Sequence, residues 1–194
     1  GIALIALASL PTLAIVSLVP NLPQFLKHFE SAPNRELLVP MIITIPSLCI
    51  ALFSPIAGTI ADAWGRRRLL IAALIGYSVV GLLPFLVDDL VAVLASRFVV
   101  GVAEAAILTS SNALMGDYFA DEQRKKWLGI QGMLGPIIAS ALVLAGGHLG
   151  SLSWRAPFLV YLLGLLVLGC AAMVAWEPDS KQVGTSKKGS DSRF

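Results

Sequence analysis

The chain has 194 residues, of which 57% are hydrophobic and 13% charged, against roughly 45–50% apolar and about 25% charged in ordinary soluble domains. That composition excludes a water-soluble fold, and a formal charge of +2 is too small to suggest nucleic acid as a partner. The basic residues cluster at the ends of apolar runs, and Cys49 and Cys170 both fall inside such runs, so a disulfide framework has no support.

A helix that crosses a bilayer needs about 20 predominantly apolar residues. Six runs meet that need, at 2–23, 37–60, 69–87, 91–116, 127–147 and 156–176. Runs this long and continuously apolar exclude the short alternating strands of a barrel, because in lipid each backbone polar group needs an internal partner. The expected fold class is all-α, a polytopic membrane protein: a six-helix bundle over residues 1–178 and a disordered, Ser-, Gly- and Lys-rich cytoplasmic tail or linker over 179–194.

The first run lacks the basic leader and small-residue cleavage site of a secretory signal and is read as a span. The chain begins at Gly1 rather than at methionine, so processing or truncation is expected to have removed its start. Prolines 11, 20, 46, 55 and 136 lie within spans, where kinks are expected and neighbouring helices re-satisfy the freed carbonyls.

Orientation follows from the basic residues. Arg66, Arg67, Arg68, Arg124, Lys125, Lys126, Lys181, Lys187, Lys188 and Arg193 fall on one side, and only Lys27, Arg35 and Arg155 on the other. The positive-inside rule places both termini in the cytoplasm of a multi-pass protein, expected in a bacterial inner membrane.

The turn between the second and third spans, Gly58-Thr59-Ile60-Ala61-Asp62-Ala63-Trp64-Gly65-Arg66-Arg67-Arg68, carries the clearest chemistry. Gly58 allows close helix approach, Gly65 permits a tight reversal, and the arginines anchor the turn among anionic headgroups. Asp62 is placed near the start of the third helix, where a negative charge is favoured, and is read as a conformational latch. The alternative is that the loop is only a positive-inside anchor.

Gly58-x-x-x-Asp62-x-x-Gly65-Arg66-Arg67 resembles the signature loop of the major facilitator superfamily, with Ala63 where that family usually has an arginine. Further segments agree in order. Arg97-x-x-x-Gly101-x-x-Glu104-Ala105 resembles the fourth-helix motif, and its Gly-x-x-Glu-Ala part is similar to Spinster-like transporters. Asp117-Tyr118-Phe119 with Arg124 and Leu128-Gly129 resembles the loop into helix five. Gly135-Pro136 resembles the core of the antiporter motif, with Ala139 and Ser140 in place of its glycine pair, and Trp154-Arg155-Ala156-Pro157-Phe158 the start of helix six. The resemblance implies the N-terminal six-helix half of a twelve-helix transporter.

Arg97 and Glu104 are the two ionisable residues well inside the spans. Each costs roughly 2.5–3.5 kcal/mol at a helix centre on insertion scales. Their seven-residue spacing puts Arg97, Glu104 and Ser111 on one stripe of the fourth helix, with Gly101 and Leu108 nearby. The resemblance implies that this stripe lines a central cavity opposite Thr12, Ser17 and Asn21. Glu104 is then the proton-coupling candidate, since burial opposes its charge, Arg97 supports it, and alternating access shifts that balance. A static ion pair, or an Arg97 that snorkels outward, is the other reading. Thr109 and Asn112 are either solute contacts or inter-helix bonds.

His28 and His148 fall in outward loops away from any triad or metal-ligand set, and the glycines lack a phosphate-cradle context, so no enzyme, metal or cofactor is expected. The expected function is secondary active transport of a small solute by alternating access, coupled to protons. The partners are the lipid bilayer, the solute and a second six-helix bundle, supplied by a C-terminal half or a second copy. A non-transporting scaffold with the same fold is the alternative.

Overall fold

The computed structural model describes residues 2–174, so the tail expected at 179–194 lies outside the described residues. The described residues form helices and connecting turns, with no strand among them. In chain order the helices are α1 (Ile2–Leu18), α2 (Leu22–His28), α3 (Arg35–Trp64), α4 (Arg66–Gly81), α5 (Leu90–Tyr118), α6 (Asp121–Leu152) and α7 (Leu162–Val174). Short 3-10 segments lie at Val19–Asn21, Leu83–Phe85 and Ala156–Tyr161. Five stretches are long and apolar enough to cross a membrane, with Ala156–Gly169 a shorter apolar sixth.

The first run breaks at Val19–Asn21, where Pro20 interrupts the hydrogen-bond ladder, and resumes as α2 as far as His28. Pro11, Pro40, Pro46, Pro55 and Pro136 sit inside continuous helices. The long helices overrun their apolar cores because their ends are built from polar loop residues. Asp89, for instance, caps α5 by accepting from the Ala92 backbone N–H at 2.8 Å.

Helix contacts arrange the chain in two layers. One row runs α3, α5, α1, α6, and α4 and α7 pack behind it, α4 on α5 and α7, and α7 on α4 and α1. Glycines set the closest crossings. A Cβ on Gly101 of α5 would lie 2.7 Å from the Pro46 Cα and the Cys49 Cβ of α3. Gly81 lies against the Tyr161 ring, and Gly164 against Ser78 and Tyr77, which ties α4 to the start of α7. Gly146 and Gly150 of α6 lie against Ser17 and Asn21. Gly58 is looser than expected from the signature turn: a Cβ there would be 3.7 Å from Thr109 Cγ2, an ordinary contact.

Candidate functional site

The turn after α3 works through Gly65, whose φ of 103° is open to glycine and strained for other residues. It lets α4 begin one residue after α3 ends, so Asp62 and Arg66 face each other across the turn. Arg66 Nη2 donates to Asp62 Oδ1 at 3.1 Å, while Nη1 donates to both Asp117 oxygens at 2.6 Å and to the Ala113 carbonyl at 3.3 Å. Asp117 lies in the last turn of α5, so one guanidinium gathers the C-terminal ends of α3 and α5 and the start of α4.

This corrects the placement of Asp62. It sits in the last turn of α3, where the helix dipole disfavours a carboxylate, and Arg66 compensates that charge. Its side chain is 70% exposed, against 31% for Asp117, so Asp117 is the better-sheltered acid of the two. Arg67 lies half-buried in the first turn of α4 and Arg68 is exposed.

The second cluster lies inside the bundle. Arg97, Glu104 and Ser111 are each 0% exposed. They share one stripe of α5, and at its Arg97 end that stripe meets the rear layer. Arg97 Nη2 donates to the Gly81 carbonyl at 3.1 Å and Nε to Ser96 Oγ at 3.2 Å. Its guanidinium carbon stands 5.0 Å from the Phe158 ring centre and 4.8 Å from that of Tyr161. It therefore caps the C-terminal end of α4, where a cation is favoured, between two aromatic faces.

Glu104 occupies the next two turns inward. Neither carboxyl oxygen has a hydrogen-bond partner, and the Ser110 and Ser111 hydroxyls and Arg97 Nη1 are also without one. No ion pair joins Glu104 to Arg97 among the described residues, so the static-pair reading does not describe this arrangement.

The five cavity candidates separate. Thr12 and Asn112 are exposed. Ser17 and Asn21 are buried in the α1–α6 seam: Ser17 Oγ donates to the Ala14 carbonyl at 2.8 Å, and Asn21 Nδ2 donates to the Ser17 and Gly146 carbonyls at 3.0 Å. Asn21 joins the two helices, Ser17 closes a bond within α1, and Ser111 is fully buried. Thr109 Oγ1 reaches the Ser54 carbonyl at 3.5 Å. Gly135 and Pro136 lie on the exposed course of α6, with nothing within 4 Å of a Cβ at Gly135.

The spacing did not reveal a third cluster on the opposite side. Asp88 accepts from Arg155 Nη2 and lies 3.5 Å from His28 Nε2, while the His28 ring stacks on Trp154 with centroids 4.2 Å apart. Arg155, followed by Asp88's proximity to His28, holds the Asp88 carboxyl below the usual carboxylate range. The clasp joins the end of α2, the loop before α5 and the segment before α7. Its only sequence signal was the Trp154-Arg155 pair.

The family model described as Major Facilitator Superfamily matches residues 3–193. The chain is 29% identical over 179 residues to the tetracycline resistance protein, class C, of Escherichia coli, covering 89% of this chain and 44% of that protein. It is 30% identical over 180 residues to the multidrug efflux pump LfrA of Mycolicibacterium smegmatis, covering 85% and 34%. It is 30% identical over 166 residues to the bacillibactin exporter of Bacillus subtilis, covering 80% and 40%. The chain thus spans less than half the length of these relatives.

Proposed function

The chain belongs to the major facilitator superfamily, and on that premise we propose that it supplies the N-terminal six-helix half of a secondary transporter that moves a small amphipathic solute in exchange for protons. The solute class follows relatives named for tetracycline, multidrug and bacillibactin export. A second six-helix bundle completes the solute path, with both termini of this half in the cytoplasm of a bacterial inner membrane.

The observation that carries the coupling is the Glu104 carboxyl, fully buried with neither oxygen hydrogen-bonded. A carboxylate sealed without a donor is costly, so a movement that opens its surroundings changes how readily it holds a proton. A site that exchanges a proton in one state and not in the other links proton flow to the rocking of the two bundles. The Arg66 bridge supports the same reading from the cytoplasmic end. It ties three helix ends together and gives the bundle one charge-stabilised arrangement to leave and regain.

The test is flux through the full-length protein in sealed vesicles. An imposed pH gradient is expected to drive uptake of tetracycline, or of another amphipathic solute from a panel, and an uncoupler to abolish it. If no gradient of protons or solute drives flux of any panel member, the transport reading fails and the scaffold reading replaces it.

A further inference from the structure

We infer that the outer clasp is a proton-operated lock on α2: a proton taken up by His28 gives Asp88 a second cationic partner and pins the tip of α2 to the segment before α7. Acid on that side holds the tip down, and loss of the proton lets it lift. This site is separate from Glu104 and does not depend on the transport reading.

The backbone makes α2 a movable piece. Pro20 ends α1 in the 3-10 turn Val19–Asn21, and α2 then runs only seven residues, Leu22–His28. Its middle is packed, since Phe25 is fully buried with its ring centre 5.7 Å from that of Phe158. Its tip is held by side chains at its last residue. His28 is one-third exposed and so open to protons from the medium. It lies in the last turn of α2, where a cation is favoured.

The His28 ring stacks on Trp154 with planes 21° apart, and Phe29 stands edge-on to both rings. Its Nε2 is 3.5 Å from Asp88 Oδ1, the same oxygen that accepts from Arg155 Nη2. That separation is long for a hydrogen bond and short enough for an ion pair. The Arg155 guanidinium carbon lies 5.3 Å from the Trp154 ring centre. The charged groups that face His28 from the elements packed on it are therefore Asp88 and Arg155. On its own side Lys27 precedes it in the same turn, and Glu30 lies 3.7 Å from Arg35. Asp89 is turned to the Ala92 N–H.

Histidine ordinarily changes charge between about pH 8 and pH 5. In the closed clasp a protonated ring meets a carboxylate and an indole face, both of which attract a cation. Arg155 opposes it in part, so the gain is the modest one of a half-exposed ion pair. With the tip lifted, the same ring meets water alone. Acid therefore favours the closed clasp, and the preference fades as pH rises through the histidine range. Arg155 holds the Asp88 carboxyl below the usual carboxylate range, so this acid is charged throughout that interval. The acidity of the medium thus sets how firmly the tip of the first span is held.

The experiment is hydrogen exchange of the full-length protein in nanodiscs at about pH 8 and about pH 5.5, a pair that brackets the histidine range, each amide rate being referred to its intrinsic rate at that pH. Protection of α2 is expected to rise about threefold on acidification in the parent, and equally in Glu104→Gln, which sets this site apart from the buried acid. Protection is expected to stay within about 1.5-fold in Asp88→Asn and in His28→Phe, the second of which keeps a ring on Trp154 and takes no proton. The lock is overturned if the parent gains no protection, if Asp88→Asn or His28→Phe gains as much as the parent, or if Glu104→Gln loses the gain. Asp88→Asn decides the matter should His28→Phe not fold. Failure of the transport reading looks different: no pH gradient drives flux while the acid-dependent protection persists.

Discussion

Arg66 donates to both carboxylate oxygens of Asp117 at 2.6 Å across 51 positions of sequence, and this pair joins the start of α4 to the end of α5. Through its other nitrogen Arg66 holds Asp62 in the same grip. One side chain thus neutralises two acids that sit at unfavourable helix C-terminal ends.

The two acids are therefore expected to differ. Asp117→Asn removes two short charge-assisted bonds and is expected to cost about 1–2 kcal/mol, the lower part of the range for such bonds because the pair is about one-third exposed. Asp62→Asn removes one longer bond from a largely exposed group and is expected to cost under about 0.5 kcal/mol. Equilibrium unfolding in mixed micelles measures both. Arg66→Lys should behave like Asp117→Asn, because an ammonium cannot span the two acids as the guanidinium fork does. Equal effects of the two Asn variants would show that the bridge is not centred on Asp117.

The α3–α5 crossing makes a sharper prediction. A Cβ at Gly101 meets the Pro46 backbone, which cannot yield without separating the helices, so Gly101→Ala is expected to destabilise by about 1–3 kcal/mol. Gly76→Ala on α4 has nothing within 4 Å of the new carbon and is expected to be neutral, or to stabilise by up to about 1 kcal/mol through helix propensity. The two thermal midpoints, measured side by side, check the contrast.

Much of this was legible in the sequence, and what was not has a physical cause. Six apolar runs fixed the class of fold, since helices alone satisfy long apolar backbone in lipid, and Gly65 marked the turn because its backbone excludes other residues. Spacing also placed Arg97, Glu104 and Ser111 on one stripe. It left open which way the stripe turns, because a helix of known phase still rotates freely until its neighbours are known. The seam of Asn21 on Gly146, 125 positions apart, and the grip of Arg66 on Asp117 are long-range pairs, invisible to local periodicity.

The outer clasp gives a pH prediction. The Asp88 carboxyl is held below its ordinary range by Arg155 and then by the nearby His28, so its contribution to stability is present above the unfolded carboxyl value, about 3.9. It is lost as pH falls through the lowered folded value. The clasp is expected to hold throughout neutral and mildly acidic conditions and to loosen only below about pH 4. Arg155→Gln should lower the thermal midpoint at pH 6 and 7, and the difference from the parent should shrink only below about pH 4. A difference that persists unchanged into strong acid would show that the Asp88 charge is not involved.

Buried Arg97 should tolerate little. Arg97→Leu removes the cap on Gly81 and the contacts with Phe158 and Tyr161. It is expected to cost about 2–4 kcal/mol, since a buried acceptor loses its donor while part of the volume stays empty. Arg97→Lys should recover only part of that loss, because an ammonium cannot reach the carbonyl and lie flat between two rings. Unfolding of both variants in mixed micelles measures the recovery.

Solute exchange in Glu104→Gln tests the coupling claim most directly. Full-length protein in sealed vesicles is loaded with solute, and counterflow at equal pH on both sides is compared with uptake driven by an imposed pH gradient. The account predicts that Glu104→Gln keeps counterflow and loses the response to the gradient. A variant that still concentrates solute in response to the gradient as the parent does would contradict it.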